Sequence, residues 1–402
     1  MPTSTNLRTR ILPVENGRER LGWVAIDSTV CGRARGGLRL VADLESDEVS
    51  DAARCMTLKY GLLGLPQGGA KAGVRGDPDA PRAERRARLL EFGRAIEPLL
   101  RARSYVPDAD LGTDASDIRW MAESLGLRVG AREWRASHSG VWTAHSVLAA
   151  MRAGLRRSGR ELRGATVAIE GFGAVGSALA GLAHAAGARV VAVSTSRGAL
   201  FDARGLDVPS LVAIARDAGS RVVEAYERAE RLPRERIFAV PADVVSPCAR
   251  RHGIHDGNAG AVEAAVVAPG ANDAVGGGAE SALAARGVLC IPDFVANCGG
   301  VLGGTMAFAG MDEARVRRFL DVRIDAMVEA LVARAEREGV PVRALAERLA
   351  LERFARARAA AERPTLRGRL FGVGLAAHRH GWLPAWASGA LAPSYFERSV
   401  RL

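Results

Sequence analysis

The chain has 402 residues and a formal net charge of +11, from 56 Lys+Arg against 45 Asp+Glu. At 48% apolar and 25% charged, it has the composition of a soluble globular protein of two or three domains, not of a disordered or fibrous one. No run approaches a membrane-spanning length of about 18 apolar residues, and the first residues hold no apolar signal core. Five cysteines (Cys31, Cys55, Cys248, Cys290, Cys298) form no C-x-x-C pair. A disulfide framework or thiolate zinc site is therefore not expected, and a reducing cytoplasm is.

The basic excess raises the question of nucleic acid. Residues 351–402 hold nine arginines against three acids, +6 of the +11. These arginines alternate with alanine and leucine as on a solvated helix face, so neither nucleic acid nor membrane is an expected partner. The chemistry of the cations says more: only Lys59 and Lys71 are lysine, and the other 54 are arginine. Guanidinium stays protonated in any site, whereas an ammonium is a compact charge whose pKa falls on burial. Two positions in an arginine-rich chain therefore ask for an amine.

In chain order, residues 21–45 read as short strands around a turn at Cys31–Arg35. Ser46 is the expected N-cap of a helix with Asp47 and Glu48 in its first turn. Its apolar stripe of Val49, Ala52, Ala53, Met56, Tyr60 and Leu63 ends near Gly64–Pro66. Lys59 lies on or beside that stripe, either as a snorkelling stem or as a buried amine that needs an anion. The run Pro66–Gly73, with three glycines around Lys71, reads as a loop whose backbone approaches a ligand. A helix is expected over 82–102, then a strand opening at Pro107–Asp114 into an acidic loop before a helix at 115–125. There D-x-D-L-G is either a cap and turn or the setting of a catalytic acid.

A second unit begins near Thr143. The strand 165–170 runs into Gly171-Phe172-Gly173-Ala174-Val175-Gly176, then a helix with Val175, Leu179, Leu182 and Ala186 inward, then a strand at 189–193. Strand, G-x-G-x-x-G, helix and strand within 30 residues form a dinucleotide-binding context, with the pyrophosphate at the helix N-terminus. The second strand ends in Ser194-Thr195-Ser196-Arg197, without the carboxylate that holds an NAD ribose. Thr195, Ser196 and Arg197 suit a 2′-phosphate, so NADP is slightly favoured over NAD. Further strands are expected at 241–245, 266–268 and 288–292, a glycine-rich loop at Asn297–Val301, helices over 311–361 and irregular chain from Pro364. His252 and His255 read as a surface pair, and no metal is expected.

In this order, Gly36-Gly37-Leu38-Arg39, Met56-Thr57-Leu58-Lys59, Pro66 through Lys71, Pro107 through Thr113, the Gly171–Gly176 loop and Pro292 through Val301 resemble the glutamate/leucine/phenylalanine/valine dehydrogenase family from about residue 22 to 355. The resemblance implies an α/β fold of two domains: an N-terminal α/β substrate domain (1–141), and a doubly wound Rossmann-type nucleotide domain (142–340). C-terminal helices (341–402) return to the first domain, with an unplaced tail. It implies reversible NAD(P)-dependent oxidative deamination of an L-amino acid to a 2-oxo acid and ammonia, in a homo-oligomer. Lys71 would activate water, Asp110 exchange protons and Lys59 anchor the α-carboxylate. Gly69, Asn297, Val301 and Gly304 would line the substrate, and Thr143 and Asn272 would orient the nicotinamide. Arg35 stands where glutamate-type members place a cation, which makes glutamate the expected substrate over branched aliphatic amino acids. Gly304 and Asp108 cut the other way, since an Arg35–Asp108 pair would leave the pocket neutral. A non-catalytic nucleotide-binding regulator on the same scaffold is the alternative.

Overall fold

The computed structural model describes residues 9–17, 19–127 and 139–401. The chain falls into two compact units. One is Met1–Ser137 with Phe308–Met311 and Glu347–Ser399; the other is His138–Ala307 with Asp312–Ala346 and Val400–Leu402.

In the first unit, strands β1 (Arg10–Glu15), β2 (Arg20–Ile26), β3 (Ala34–Val41), β4 (Gly68–Arg75) and β5 (Tyr105–Ala109) form a sheet in the order β1-β2-β4-β3-β5. β2 is antiparallel to β1 and β4, while β3 runs parallel to β4 and β5. Period-two alternation gives this sheet two different faces. Ala34, Leu38 and Leu40 of β3 and Ala70, Ala72 and Val74 of β4 form one core with Leu89, Phe92, Ile118 and Met121. Those partners come from helices α2 (Arg82–Ala95) and α4 (Ala115–Ser124). The intervening Arg35, Gly37 and Arg39, with Gly69, Lys71 and Gly73 in register beside them, take the opposite face. There helix α1 (Ser46–Leu62) packs.

Three expectations change here. The glycine-rich run at 66–73 is not a loop: from Gly68 it is β4, buried from Gly68 to Val74. A Cβ on Gly69 would lie 2.3 Å from both Thr57 N and Oγ1 of α1. Gly69 therefore admits a helix, and the glycines' lack of side chains hides the alternation that marks a strand. Ser46 does not cap α1, because the N-cap is Glu45, without a side-chain bond. The 82–102 helix breaks at Ile96, where α3 (Glu97–Arg101) starts with Pro98, which has no amide to continue the ladder.

The second unit opens with α5 (Ser139–Arg157). Then follow β6 (Thr166–Glu170), α6 (Ala174–Ala185), β7 (Arg189–Thr195), β8 (Gly198–Phe201), α7 (Val208–Ala218), α8 (Val222–Ala225) and β9 (Glu230–Leu232). The chain continues through β10 (Val244–Pro247), β11 (Val266–Val267), α9 (Gly277–Ala285), β12 (Leu289–Cys290), α10 (Asp293–Ala296), α11 (Gly299–Phe308) and α12 (Glu313–Glu338). The sheet order is β12-β11-β10-β6-β7-β8-β9. It is parallel from β12 to β7, and β8 and β9 are added antiparallel. The buried face of α6 is Gly176, Leu179, Ala180 and Ala183; of the expected stripe Leu179 is buried, while Val175, Leu182 and Ala186 are half-buried. The expected loop at Asn297–Val301 is mostly helix. Gly299 and Gly303 sit in α11 because a Cβ on either would strike α5, at 2.1 Å from Trp142 O and 2.5 Å from Trp142 Cγ.

From Pro364 the chain is helical, not irregular: α14 (Leu366–Arg379) and α15 (Ala385–Val400) follow α13 (Val342–Glu362). Residues 347–399 belong to the first unit. A Cβ on Gly61 of α1 would be 2.1 Å from Ala350 O of α13, and Arg353 bonds Ser399 O of α15. Phe396 is buried, while Trp382 is 76% exposed. No described helix is long and apolar enough to cross a membrane.

Glycines that admit a neighbour should respond oppositely to one in open space. Gly61→Ala should destabilise by about 2 kcal/mol, the scale of overpacking. Gly181→Ala, within α6 with nothing within 4 Å of its Cβ position, should stabilise by about 0.5–1 kcal/mol. Urea midpoints at unchanged slope measure both.

Candidate active site

In the first unit, the face of β3 and β4 toward α1 collects the charged residues. Lys59 and Lys71 are 5% and 2% exposed, so neither is a snorkelling surface amine. Lys71 Nζ lies 2.9 Å from Asp110 Oδ2, and that same oxygen accepts from Arg39 Nε at 2.9 Å. Arg39 is itself buried and its other arm bonds Glu48 of α1. Asp110 follows directly on β5. Its amide donates to Thr113 Oγ1 at 3.0 Å, and that hydroxyl donates to Leu38 O at 2.8 Å, which ties the loop to β3. The cap of α4 is Asp114, in a capping box with Asp117. This leaves Asp110 out of the helix cap and in the charge cluster.

Burial pushes the Lys71 amine below the ordinary lysine range, and Arg39 and Lys59 push further, against the pull of Asp110. For Asp110, burial raises the pKa, but Lys71 and Arg39 outweigh it and hold the carboxyl well below the usual carboxylate range. The cluster thus pairs a firmly ionised carboxylate with an amine disposed to give up its proton. Gly37 makes this contact possible: its Cβ would stand 2.7 Å from Asp110 Cβ and 3.0 Å from Lys71 Nζ.

Arg35 grips Asp108 through two bonds, Nε to Oδ2 at 2.6 Å and a terminal nitrogen to Oδ1 at 2.7 Å. Gly69 is used inside the fold: its carbonyl accepts from Asp27 and Ser28 amides, and its own amide donates to Ser28 Oγ.

In the second unit, Gly171 takes φ +90°, and a Cβ on Gly176 would be 1.8 Å from Gly171 O. The turn and the close helix approach both require glycine. Gly173 and Ala174 are exposed and Val175 is half-buried. Gly173 caps α6 without a side-chain bond and has nothing within 4 Å of its Cβ position. These residues fit a pyrophosphate lying against backbone amides. At the end of β7, Thr195 donates to Ser220 O at 2.7 Å and accepts from the Arg197 amide at 3.1 Å. Ser196 and Arg197 are exposed at the tip of the β7–β8 hairpin.

Thr143 Oγ1 donates to Ser139 O at 2.7 Å. Asn297 Nδ2 donates to Asn272 Oδ1 at 3.1 Å and to Ala271 O at 3.0 Å, while its buried Oδ1 has no donor among the described residues. An amide held by its nitrogen with its oxygen unspent is suited to accept from a ligand N–H. Val301 and Gly304 are half-buried on one side of α11.

The residues missed by sequence reasoning are Arg39, Glu48, Gly37 and Thr113. Reading 68–75 as a strand would have found Arg39 and Gly37, because alternation aligns 35, 37 and 39 with 69, 71 and 73, opposite α1.

Comparison with known proteins supplies a separate line. The family described as Glutamate/Leucine/Phenylalanine/Valine dehydrogenase matches residues 138–361, and its Glu/Leu/Phe/Val dehydrogenase, dimerisation domain matches residues 12–126. The chain is 32% identical to glutamate dehydrogenase of Thermotoga maritima over 343 residues, 81% of this chain and 82% of that one. It is 31% identical to NAD-specific glutamate dehydrogenase of Staphylococcus aureus over 292 residues, 70% of each. Among solved structures it is similar to the hetero-hexameric glutamate dehydrogenase of Thermus thermophilus, Leu bound form. There the TM-score is 0.72 at 28% identity, covering 88% of this chain and 89% of that one.

Arg39 acts through Asp110 and Lys71, which makes it a positioning residue. With two lysines in the chain, lysine-selective carbon-13 labelling yields two side-chain titrations by NMR. Lys71 should titrate below the ordinary amine range. Arg39→Met removes a cation that lowers it and should move that titration to higher pH, and Arg39→Lys should move it less.

Proposed function

Because the chain belongs to the glutamate/leucine/phenylalanine/valine dehydrogenase family, we propose that it catalyses the reversible NAD(P)-dependent oxidative deamination of an L-amino acid to a 2-oxo acid and ammonia. The observation that carries this reading is the buried Lys71–Asp110 contact at 2.9 Å beside Arg39 and Lys59. Arg39, Lys59 and Lys71 gather there the cationic groups that suit an α-carboxylate. Lys59 is the anchor for that carboxylate. A dinucleotide held with its pyrophosphate at the Gly171–Gly176 turn would supply the hydride acceptor for the α-hydrogen of the amino acid.

The remaining work falls to the chain's own groups. Lys71, disposed to be neutral, removes a proton from the water that adds to the imine carbon, then stabilises the alkoxide as its ammonium. Asp110, hydrogen-bonded to Lys71, is placed to relay protons between the amine, the water and the departing ammonia. Arg39 keeps that carboxylate ionised and aimed. Asn297 Oδ1 and Thr143 serve the amine and the carboxamide. The dimerisation domain named for residues 12–126 and the hexamer of the Thermus relative support assembly as an oligomer, which we take to be homomeric.

The expectation of glutamate treats Arg35 as an available cation, and the bidentate contact with Asp108 removes that premise. For the cofactor, the exposed Ser196 and Arg197 and the absence of a carboxylate from 194–197 support NADP; Thr195, engaged on both sides of its hydroxyl, adds less than its residue type promises.

A panel of L-amino acids assayed with NAD and with NADP tests the activity directly. Lys71→Ala should lower kcat/KM by at least about a hundredfold while the dinucleotide Kd, read by fluorescence quenching, stays within about twofold. Retained activity in that variant would remove the reading. Arg197→Ala should raise KM for NADP by about tenfold and leave KM for NAD unchanged, as expected for loss of one charge-assisted phosphate contact.

A further inference from the structure

The ion pair of Arg35 and Asp108 stands on the same sheet face as the reactive cluster. Arg35 and Arg39 are alternate outward positions of β3 separated by Gly37, and Asp108 precedes Asp110 by two residues along β5. Two residues of strand span about 6–7 Å, the reach of an amino-acid side chain from its α-carbon. A substrate with its α-carbon at Lys71 and Asp110 would bring its side chain to Arg35 and Asp108 by running back along β5. The pair is open to a ligand, with side chains 29% and 45% exposed. Beneath it lies Tyr60, 2% exposed, whose hydroxyl is 3.5 Å from Arg35 O. Burial raises the phenol well above its ordinary pKa, so it stays neutral in the presence of both charges.

Such a subsite repels either sign of charge. A carboxylate arriving at Arg35 meets Asp108 already in bidentate contact and must displace it or stand beside it, a like-charge juxtaposition that costs several kcal/mol. An ammonium arriving at Asp108 meets Arg35 in the same way. An uncharged side chain leaves the pair intact. We propose that Asp108 neutralises the side-chain subsite, so that this chain deaminates L-amino acids with uncharged side chains in preference to glutamate. This rests on the amino-acid dehydrogenase reading above.

The test measures kcat/KM for wild type and for Asp108→Ala and Asp108→Asn with L-glutamate, L-lysine, L-leucine, L-valine, L-methionine and L-phenylalanine. Wild type should use its best uncharged substrate at least about tenfold better than glutamate. Both variants, which release Arg35, should shift the ratio toward glutamate by at least about tenfold, mainly through KM. Adding Arg35→Leu to Asp108→Ala should abolish that shift. A wild type that prefers glutamate, or a ratio unmoved in both variants, overturns the proposal and leaves the dehydrogenase reading standing. Turnover of no amino acid by wild type overturns both.

Discussion

One carboxylate oxygen organises the first unit. Asp110 Oδ2 bonds both the Lys71 ammonium and the Arg39 guanidinium on a face covered by α1. Charges without water are costly unless each finds a partner, and breaking such a group leaves an uncompensated charge. Glu48 completes the set by taking the second arm of Arg39. The cluster therefore fixes three separate pieces of chain: β3, β4 and the first turn of α1, with the loop after β5 held against them. Strand pairing gives Arg39, Lys71 and Asp110 their common side; burial then lowers the Lys71 amine, while Lys71 and Arg39 hold Asp110 ionised.

Glycine is the means by which charge and close packing coexist there. Gly37 leaves room for Asp110 and Lys71, Gly69 receives Thr57, and Gly61 lets α13 approach α1. At each place the atom a Cβ would meet is backbone or a side chain already committed to the cluster. The second unit uses the same device for other ends. Gly176 brings α6 onto the strand before it, and Gly299 and Gly303 bring α11 onto α5. Gly173 differs in kind, since the space beside it is open.

Arg35 and Asp108 show how a neighbour changes the meaning of a residue. A cation at position 35 invites an acidic ligand; here that cation already has an anionic partner in Asp108, held by two hydrogen bonds. Thr195 carries the same lesson at smaller scale. Its hydroxyl reads as a phosphate donor in isolation, yet it closes a turn and reaches Ser220.

Several features were legible from the order of residues because they are local. The glycine turn between β6 and α6 is one, since strand, turn and helix are written consecutively. The rarity of lysine singled out Lys59 and Lys71, because an amine is chemically distinct from the 54 guanidiniums around it. The helices beyond Pro364, the antiparallel β8 and β9 and the inward face of α6 were not legible, because small or alternating residues leave periodicity too faint to read. The strand at 68–75 was hidden by its glycines, of which Gly69 makes room for Thr57 of α1. By itself, then, the sequence determined which chemical groups the protein owns and where the glycine turn between β6 and α6 lies. Only the tertiary structure decided that Asp110 faces Lys71 and Arg39, and that Asp108 holds Arg35, because those contacts join residues 39 to 73 positions apart whose meeting depends on strand register.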